Sequence, residues 1–240
     1  SAASDVYKRQ LLNSLPSVSG KDTNWDSLGP MLGEAFGQTL YMVCVAMLIG
    51  GVAGLAIGVL LYTTRDGGVL RNKFVYQVLN VLINFVRPIP FIILVTAIGP
   101  LTKNVVGTTI GTEAAVFVMS IAATFAIARL VEQNLMSIDP GVIEAARAMG
   151  ASPWRIIRTV VVPEALGPLV LGYTFAFIAV VDMSAMAGYI GGGGLGNFAI
   201  TYGYQAFDWN VTLVTTLVII FIVQLAQIFG NWLSKKIMRR

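Results

Sequence analysis

Five apolar stretches separated by short polar segments organise this chain. The first runs from Thr39 to Tyr62 without a charged residue. The others run from about Phe74 to Ile98, Ala114 to Ala128, Leu166 to Tyr189 and Val211 to Trp232. Roughly 20 apolar residues make a helix long enough to cross a ~30 Å hydrocarbon core. The pattern therefore predicts an all-α membrane protein with five transmembrane helices and its two termini on opposite sides. Residues 11–30 carry Ser, Gly, Asn and Pro without a signal-peptide-like apolar run. They read as part of a loose external tail over 1–35, ahead of a transmembrane domain over 36–240 with a long polar loop at 137–163. Within that tail, Asp5 to Gln10 match the translation of a sequencing-adapter end. The first ten residues are expected to be an assembly artefact and carry no weight for the fold.

Composition agrees with the bilayer. Charged residues make up 12% of the 240 residues and mean hydropathy is +0.76, whereas soluble domains carry about 25% charged residues. The net charge of +4 does not point to nucleic acid, because the basic residues flank the apolar stretches. Eleven of the 16 Lys and Arg fall after span one, after span three or in the C-terminal tail. The positive-inside rule then predicts an outside N-terminus and a cytoplasmic C-terminus. The chain has no His, which removes imidazole bases and ligands, and Cys44 has no second cysteine to pair with. No metal site or cofactor is expected.

The polar loop 137–163 carries the strongest local signals. Asp139-Pro140 is a helix start, Gly150 a stop, and Ser152-Pro153 a second start. Two short helices folded back at the membrane surface are expected, with Pro163 and Pro168 before span four. Ala145, Ala146 and Ala148 keep the first helix slim, while Glu144 and Arg147 supply polar rim contacts. An interfacial amphipathic helix explains Trp154 and the arginines equally well. It does not explain Glu144-Ala145-Ala146 followed by Gly150 and then by Val160-x-Val162-Pro163.

That spacing resembles the cytoplasmic coupling motif of ABC importer permeases: EAA, three residues, G, nine residues, I-x-L-P. Val160 and Val162 stand where Ile and Leu are usual. Further strings resemble the permeases of methionine-type ABC importers: residues 84–94 (NFVRPIPFIIL), 106–111 (VGTTIG), 143–150 (IEAARAMG) and 163–166 (PEAL). Ser184-Ala-Met186, Gly193-Gly-Leu-Gly196 and Tyr202-Gly-Tyr204 extend the likeness, which covers roughly Phe36 to the C-terminus. The resemblance implies the type I ABC importer permease fold, with a cytoplasmic coupling helix built on Glu144, Ala145, Ala146, Arg147, Gly150 and Pro163. It implies a homodimer in a bacterial inner membrane, two cytoplasmic ATPase subunits and an external substrate-binding lipoprotein. The cargo it implies is methionine, L or D, or close analogues; another amino acid or small solute is the alternative. No phosphate-cradling G-x-x-x-x-G-K-[ST] loop is present. ATP hydrolysis is thus expected in a partner, and the chain itself is not expected to be an enzyme.

Several span residues are candidates for the translocation path or its gate. A membrane acid such as Asp182 normally faces a cavity or a partner. It could hold a substrate ammonium, pair with Arg87, or sit hydrated at the outer boundary. This family more often has a small neutral residue there. Arg87, within Arg-Pro-Ile-Pro, could satisfy carbonyls freed where that string breaks the second helix, with Asn84 helping. Ser184, Met183 and Met186 lie beside a glycine run, where thioethers can line a path or simply fill a core. Gly50, Gly54 and Gly58 form a small-residue face for close helix packing, between subunits or within one. Gly191-x-Gly193-x-x-Gly196 lacks the strand a dinucleotide turn needs and reads as an external re-entrant turn. An ion-coupled secondary transporter would need inverted repeats and an acid relay. A membrane enzyme would need a catalytic constellation, and a passive channel leaves the polar loop without a purpose.

Overall fold

The longest helix begins earlier than its apolar stretch. In a computed structural model describing residues 23–238, α1 spans Trp25–Thr64, 40 residues or about 60 Å at 1.5 Å per residue. Asn24 caps it, accepting a hydrogen bond from the Ser27 amide at 3.4 Å. Residues 25–35, expected to belong to a loose tail, are thus its first three turns. Residues 1–22, including the supposed artefact at 1–10, lie outside the described residues.

The second apolar stretch is not one rod. Helices α2 (Lys73–Val86) and α3 (Phe91–Ala97) meet at 105° across Arg87-Pro88-Ile89-Pro90. Pro88 and Pro90 cannot donate to a helical ladder, so the bend falls where the backbone loses its hydrogen bonds. After α4 (Gly99–Val106) comes α5 (Thr112–Met136). Arg129, expected in the loop after span three, instead lies about two turns inside α5. The short helix α6 (Pro140–Ala148) follows.

The second short helix of the polar loop is not free-standing either. Four residues of α7 (Pro153–Ile156) pass through a π-helical stretch, Ile157–Val161, directly into α8 (Val162–Tyr189). The wider π turn falls just ahead of Pro163, whose ring and missing N–H would disrupt a regular ladder. The short α9 (Gly194–Phe198), a second π turn (Ala199–Tyr204) and α10 (Trp209–Met238) complete the described residues. Among the described residues four segments, namely α1, α5, α7–α8 and α10, are long and apolar enough to cross a membrane, and the count is five where the bent α2–α3 pair forms one span.

Packing sets which helices touch. Gly50, Gly54 and Gly58 of α1 press on α5: a Cβ at these positions would fall 2.7 Å from Ala123 Cβ, 2.8 Å from Ile127 Cβ and 2.6 Å from the Ala128 carbonyl. The contacts rise in step along both helices, so α1 and α5 run parallel. Helix α8 runs antiparallel to them, and Tyr173 Oη donates to the Gly51 carbonyl at 2.7 Å. Met42, Met119, Ile127 and Leu135 are fully buried in the core between these helices. The first turns of α1 order for the same reason: Leu28, Met31, Leu32 and Phe36 pack into an apolar cluster with Val211 and Ile222 of α10.

Candidate functional site

Two ends of the bundle carry polar structure. At the end rich in basic residues, α6 lies across the turn between α1 and α2. Asp139 Oδ1 accepts from the Gly141 amide at 2.8 Å, capping α6 next to Pro140. Gly150 closes the segment at φ +77°, the left-handed conformation that a side chain disfavours. One face of α6 is pinned inward, with Ala146 buried among core residues. Arg147 Nη2 donates to the Gly67 carbonyl at 3.3 Å. Arg65 lies over the Tyr62 ring at 4.4 Å, and a cleft of about 110 Å³ runs between this turn and α6, reaching Glu144.

The outward face of α6 is the free one. Glu144 and Ala145 are exposed, and Glu144 forms no ion pair among the described residues. Met149 is 80% and Trp154 69% exposed beside it. A slim helix anchored on one side therefore leaves an acid and small side chains exposed, with Met149 just past its end and Trp154 on α7 adding two large apolar groups. Pro163 is also exposed, at the foot of α8.

At the opposite end the glycine run forms a tight turn between α8 and α9. Gly191, Gly193 and Gly194 all have positive φ. Gln38 Oε1 accepts from the Gly194 amide at 2.7 Å, and Thr39 Oγ1 accepts from the Leu195 amide at 2.8 Å. Two side chains of α1 thus hold the start of α9. A Cβ on Gly196 would fall 2.4 Å from the Ala185 backbone, so α9 sits directly against the end of α8.

The path candidates separate by face. Asp182 and Met186 share an exposed face of α8 with Phe175 and Tyr189, and Asp182 has no hydrogen-bond or ion-pair partner among the described residues. Ser184 points the other way: it is buried, and its hydroxyl donates to the Val181 carbonyl at 2.6 Å. Met183 is half-buried against the core. Arg87 is exposed, and its guanidinium bonds no carbonyl among the described residues, nor does it pair with Asp182. Asn84 does not serve the break; it joins a different network.

That network was not singled out in the sequence. Arg129 on α5 pairs with Glu132 one turn on, and its other amino group donates to Asn80 Oδ1 at 2.7 Å and Asn84 Oδ1 at 2.6 Å on α2. Glu132 is only 3% exposed. The signal lay in two spacings, Asn80 with Asn84 at i,i+4 and Arg129 with Glu132 at i,i+3, each of which puts two polar groups on one helix face.

Residues 50–239 match the family model described as binding-protein-dependent transport system inner membrane component. The probable D-methionine transport system permease protein MetI of Vibrio cholerae is 42% identical over 210 residues, 88% of this chain and 93% of that one. The methionine import system permease protein MetP of Bacillus subtilis is 41% identical over 209 residues, 87% of this chain and 94% of that one. A solved inward-facing conformation of the MetNI methionine ABC transporter superposes with a TM-score of 0.85 at 39% identity, covering 88% of this chain and 98% of that chain. The crystal structure of an amino acid ABC transporter with histidines shares the fold, with a TM-score of 0.74 at 19% identity. The chain belongs to the family of binding-protein-dependent transport system inner membrane components.

Proposed function

We propose that this chain is the membrane-spanning permease subunit of an ATP-driven importer of methionine, forming the translocation path as a homodimer and taking its energy from two separate ATPase subunits. The observation that carries this reading is α6: a capped, one-side-anchored helix that presents Glu144, Ala145 and Met149 outward, in a chain whose family match runs over residues 50–239. A motor can move the bundle only through a rigid element, and α6 is tied to the α1–α2 turn through Arg147 and to the core through Ala146.

In this reading the basic end faces the cytoplasm, where the ATPases dock against α6, and the glycine-rich end faces out towards a substrate-binding lipoprotein. The concentration of Lys and Arg at the α6 end supports that orientation. ATP binding draws the two α6 helices together and opens the path outward; hydrolysis returns it inward. Transport then alternates between two states of one bundle. Asp182 and Met186, on an exposed face of α8, are the residues placed to meet cargo, with Arg87 and Asn84 near the break in α2–α3.

The deciding experiment is ATP-driven uptake of radiolabelled methionine into proteoliposomes holding this chain, its cognate ATPase and its binding protein. Uptake displaced by methionine analogues, and by no other amino acid, supports machine and cargo together. A working ATPase with no methionine uptake removes the cargo and leaves the importer.

A further inference from the structure

One apolar groove on the bundle has a carboxylate at its head. It runs between α1 and α5, has a volume of about 330 Å³, and is walled by Val45, Ile49, Val116, Phe117 and Ile121, with Val106 of α4 at its edge. Ser120 and Thr124 also line it, but both hydroxyls turn back onto their own helix, donating to the Val116 and Ser120 carbonyls at 2.7 Å each. The wall therefore offers no free hydrogen-bond donor. The head of the groove offers an acceptor: Tyr41 Oη donates to Glu113 Oε1 at 3.0 Å and Oε2 at 3.2 Å. Glu113 is exposed and has no cationic partner among the described residues.

The geometry points to a membrane lipid with a primary ammonium headgroup, of the phosphatidylethanolamine kind, seated in this groove with its nitrogen on Glu113. Glu113 immediately precedes the apolar span of α5, which places its carboxylate at headgroup depth, and tyrosines favour that depth. From Glu113 to Thr124 is 11 residues of helix, a rise of about 16 Å. One acyl chain crosses half of a ~30 Å core, or about 15 Å. Groove and chain match in length and in polarity. The head then selects: a primary ammonium carries three N–H donors that charge-assisted hydrogen bonds to Glu113 can use, while the quaternary nitrogen of a choline lipid has none. Tyr41 occupies one lone pair on each carboxylate oxygen and leaves the others free, so it orients Glu113 without satisfying it. This site is independent of cargo and of the ATPase, and rests only on the chain spanning a bilayer.

The test is native mass spectrometry of the full-length chain in its purified complex, with equimolar phosphatidylethanolamine and phosphatidylcholine of identical acyl chains. Wild type should retain the ethanolamine lipid about ten-fold over the choline lipid, the scale of a hydrogen bond to a charged group. Glu113→Gln should bring that ratio close to one. Val45→Phe, which fills the groove below the head, should lower retention of both lipids, placing the selective lipid here. Tyr41→Phe, a milder change, keeps the test open if Glu113→Gln does not fold, and should reduce the preference about three-fold. Equal retention of the two lipids by wild type overturns the proposal. So does a preference that survives Glu113→Gln, or retention indifferent to Val45→Phe, as when a second copy of the chain covers this face.

Discussion

Arg129 on α5 and Asn84 on α2 are joined by a hydrogen bond of 2.6 Å, one turn before the chain breaks at Pro88. Arg129 also holds Glu132, whose side chain is 96% shielded from solvent. That ion pair lies within a single helix, so no pair of opposite charges bridges α2 and α5 here. The interhelical part of the network is a pair of hydrogen bonds from the guanidinium to two neutral carboxamides, each worth about 1.5–3 kcal/mol, whereas stranding a buried charge costs several kcal/mol.

Removing the guanidinium should therefore be severe. Arg129→Gln leaves Glu132 buried without its cation, a loss of about 3–5 kcal/mol. In a domain of this size that lowers the unfolding midpoint by roughly 10 °C. The double change Arg129→Gln with Glu132→Gln should recover more than half of the loss, since no charge is then stranded. Thermal unfolding of the purified variants checks this. A double variant no more stable than the single one would show that the network stabilises through shape and not through charge.

Two glycine series in α1 should behave in opposite ways. At Gly58 a Cβ would fall 2.6 Å from both the Ala128 carbonyl and Val131 Cβ, so Gly58→Ala must push α1 off α5, a cost of about 1–3 kcal/mol. At Gly33 nothing lies within 4 Å. Gly33→Ala should gain about 0.5–1 kcal/mol by restricting the unfolded chain. The same unfolding measurement decides between them, and equal shifts for the two variants would mean that the α1–α5 contact is not close in the bilayer.

The spans were legible because hydrophobic length is a one-dimensional property: the apolar stretches needed no knowledge of neighbours to be seen. The Pro-Ile-Pro break was legible too, since losing backbone donors is local, although its 105° angle depends on what α3 packs against. The first turns of α1 were not, because Leu28, Leu32 and Phe36 are ordered by Val211 and Ile222, nearly 200 residues away. The path from α7 into α8 is hidden for another reason. Pro163 signals a break in an α-helix, but a π turn absorbs it without one. The Arg129 network is not legible in the sequence because its four residues lie on two helices, and no single window of sequence contains them.

Asp182 faces outward from α8 without a partner among the described residues, on the same face as Met186. An unpaired acid on a spanning helix is costly in lipid, by about 2.5–3.5 kcal/mol at the centre, so that face should meet water or cargo in the assembled transporter. Asp182→Ala should then reduce uptake or alter the order of competing amino acids, while leaving ATPase activity and folding intact. Transport kinetics with a panel of amino acids provide the check; kinetics unchanged for every cargo would place Asp182 in the hydrated rim.

Glu144 gives the sharpest test of coupling, because the structure separates its roles. Among the described residues it makes no ion pair, its helix is held by Asp139, Ala146 and Arg147, and its side chain is exposed. Reversing its charge should leave the bundle folded, because of the two cations it would then face across the cleft Arg147 is exposed and Arg65 only half-buried, and should act chiefly on what docks on α6. Glu144→Arg is thus expected to insert, dimerise and unfold at the wild-type temperature, within about 0.5 kcal/mol for a surface change. ATP-driven uptake should fall by at least about ten-fold, the cost of turning one docking contact from attraction to repulsion. Comparing uptake with the amount of ATPase that copurifies identifies the failing step. Lost uptake with lost copurification means α6 docks the motor. Lost uptake with full copurification means it transmits the motion. Normal uptake would remove α6 from the coupling path altogether.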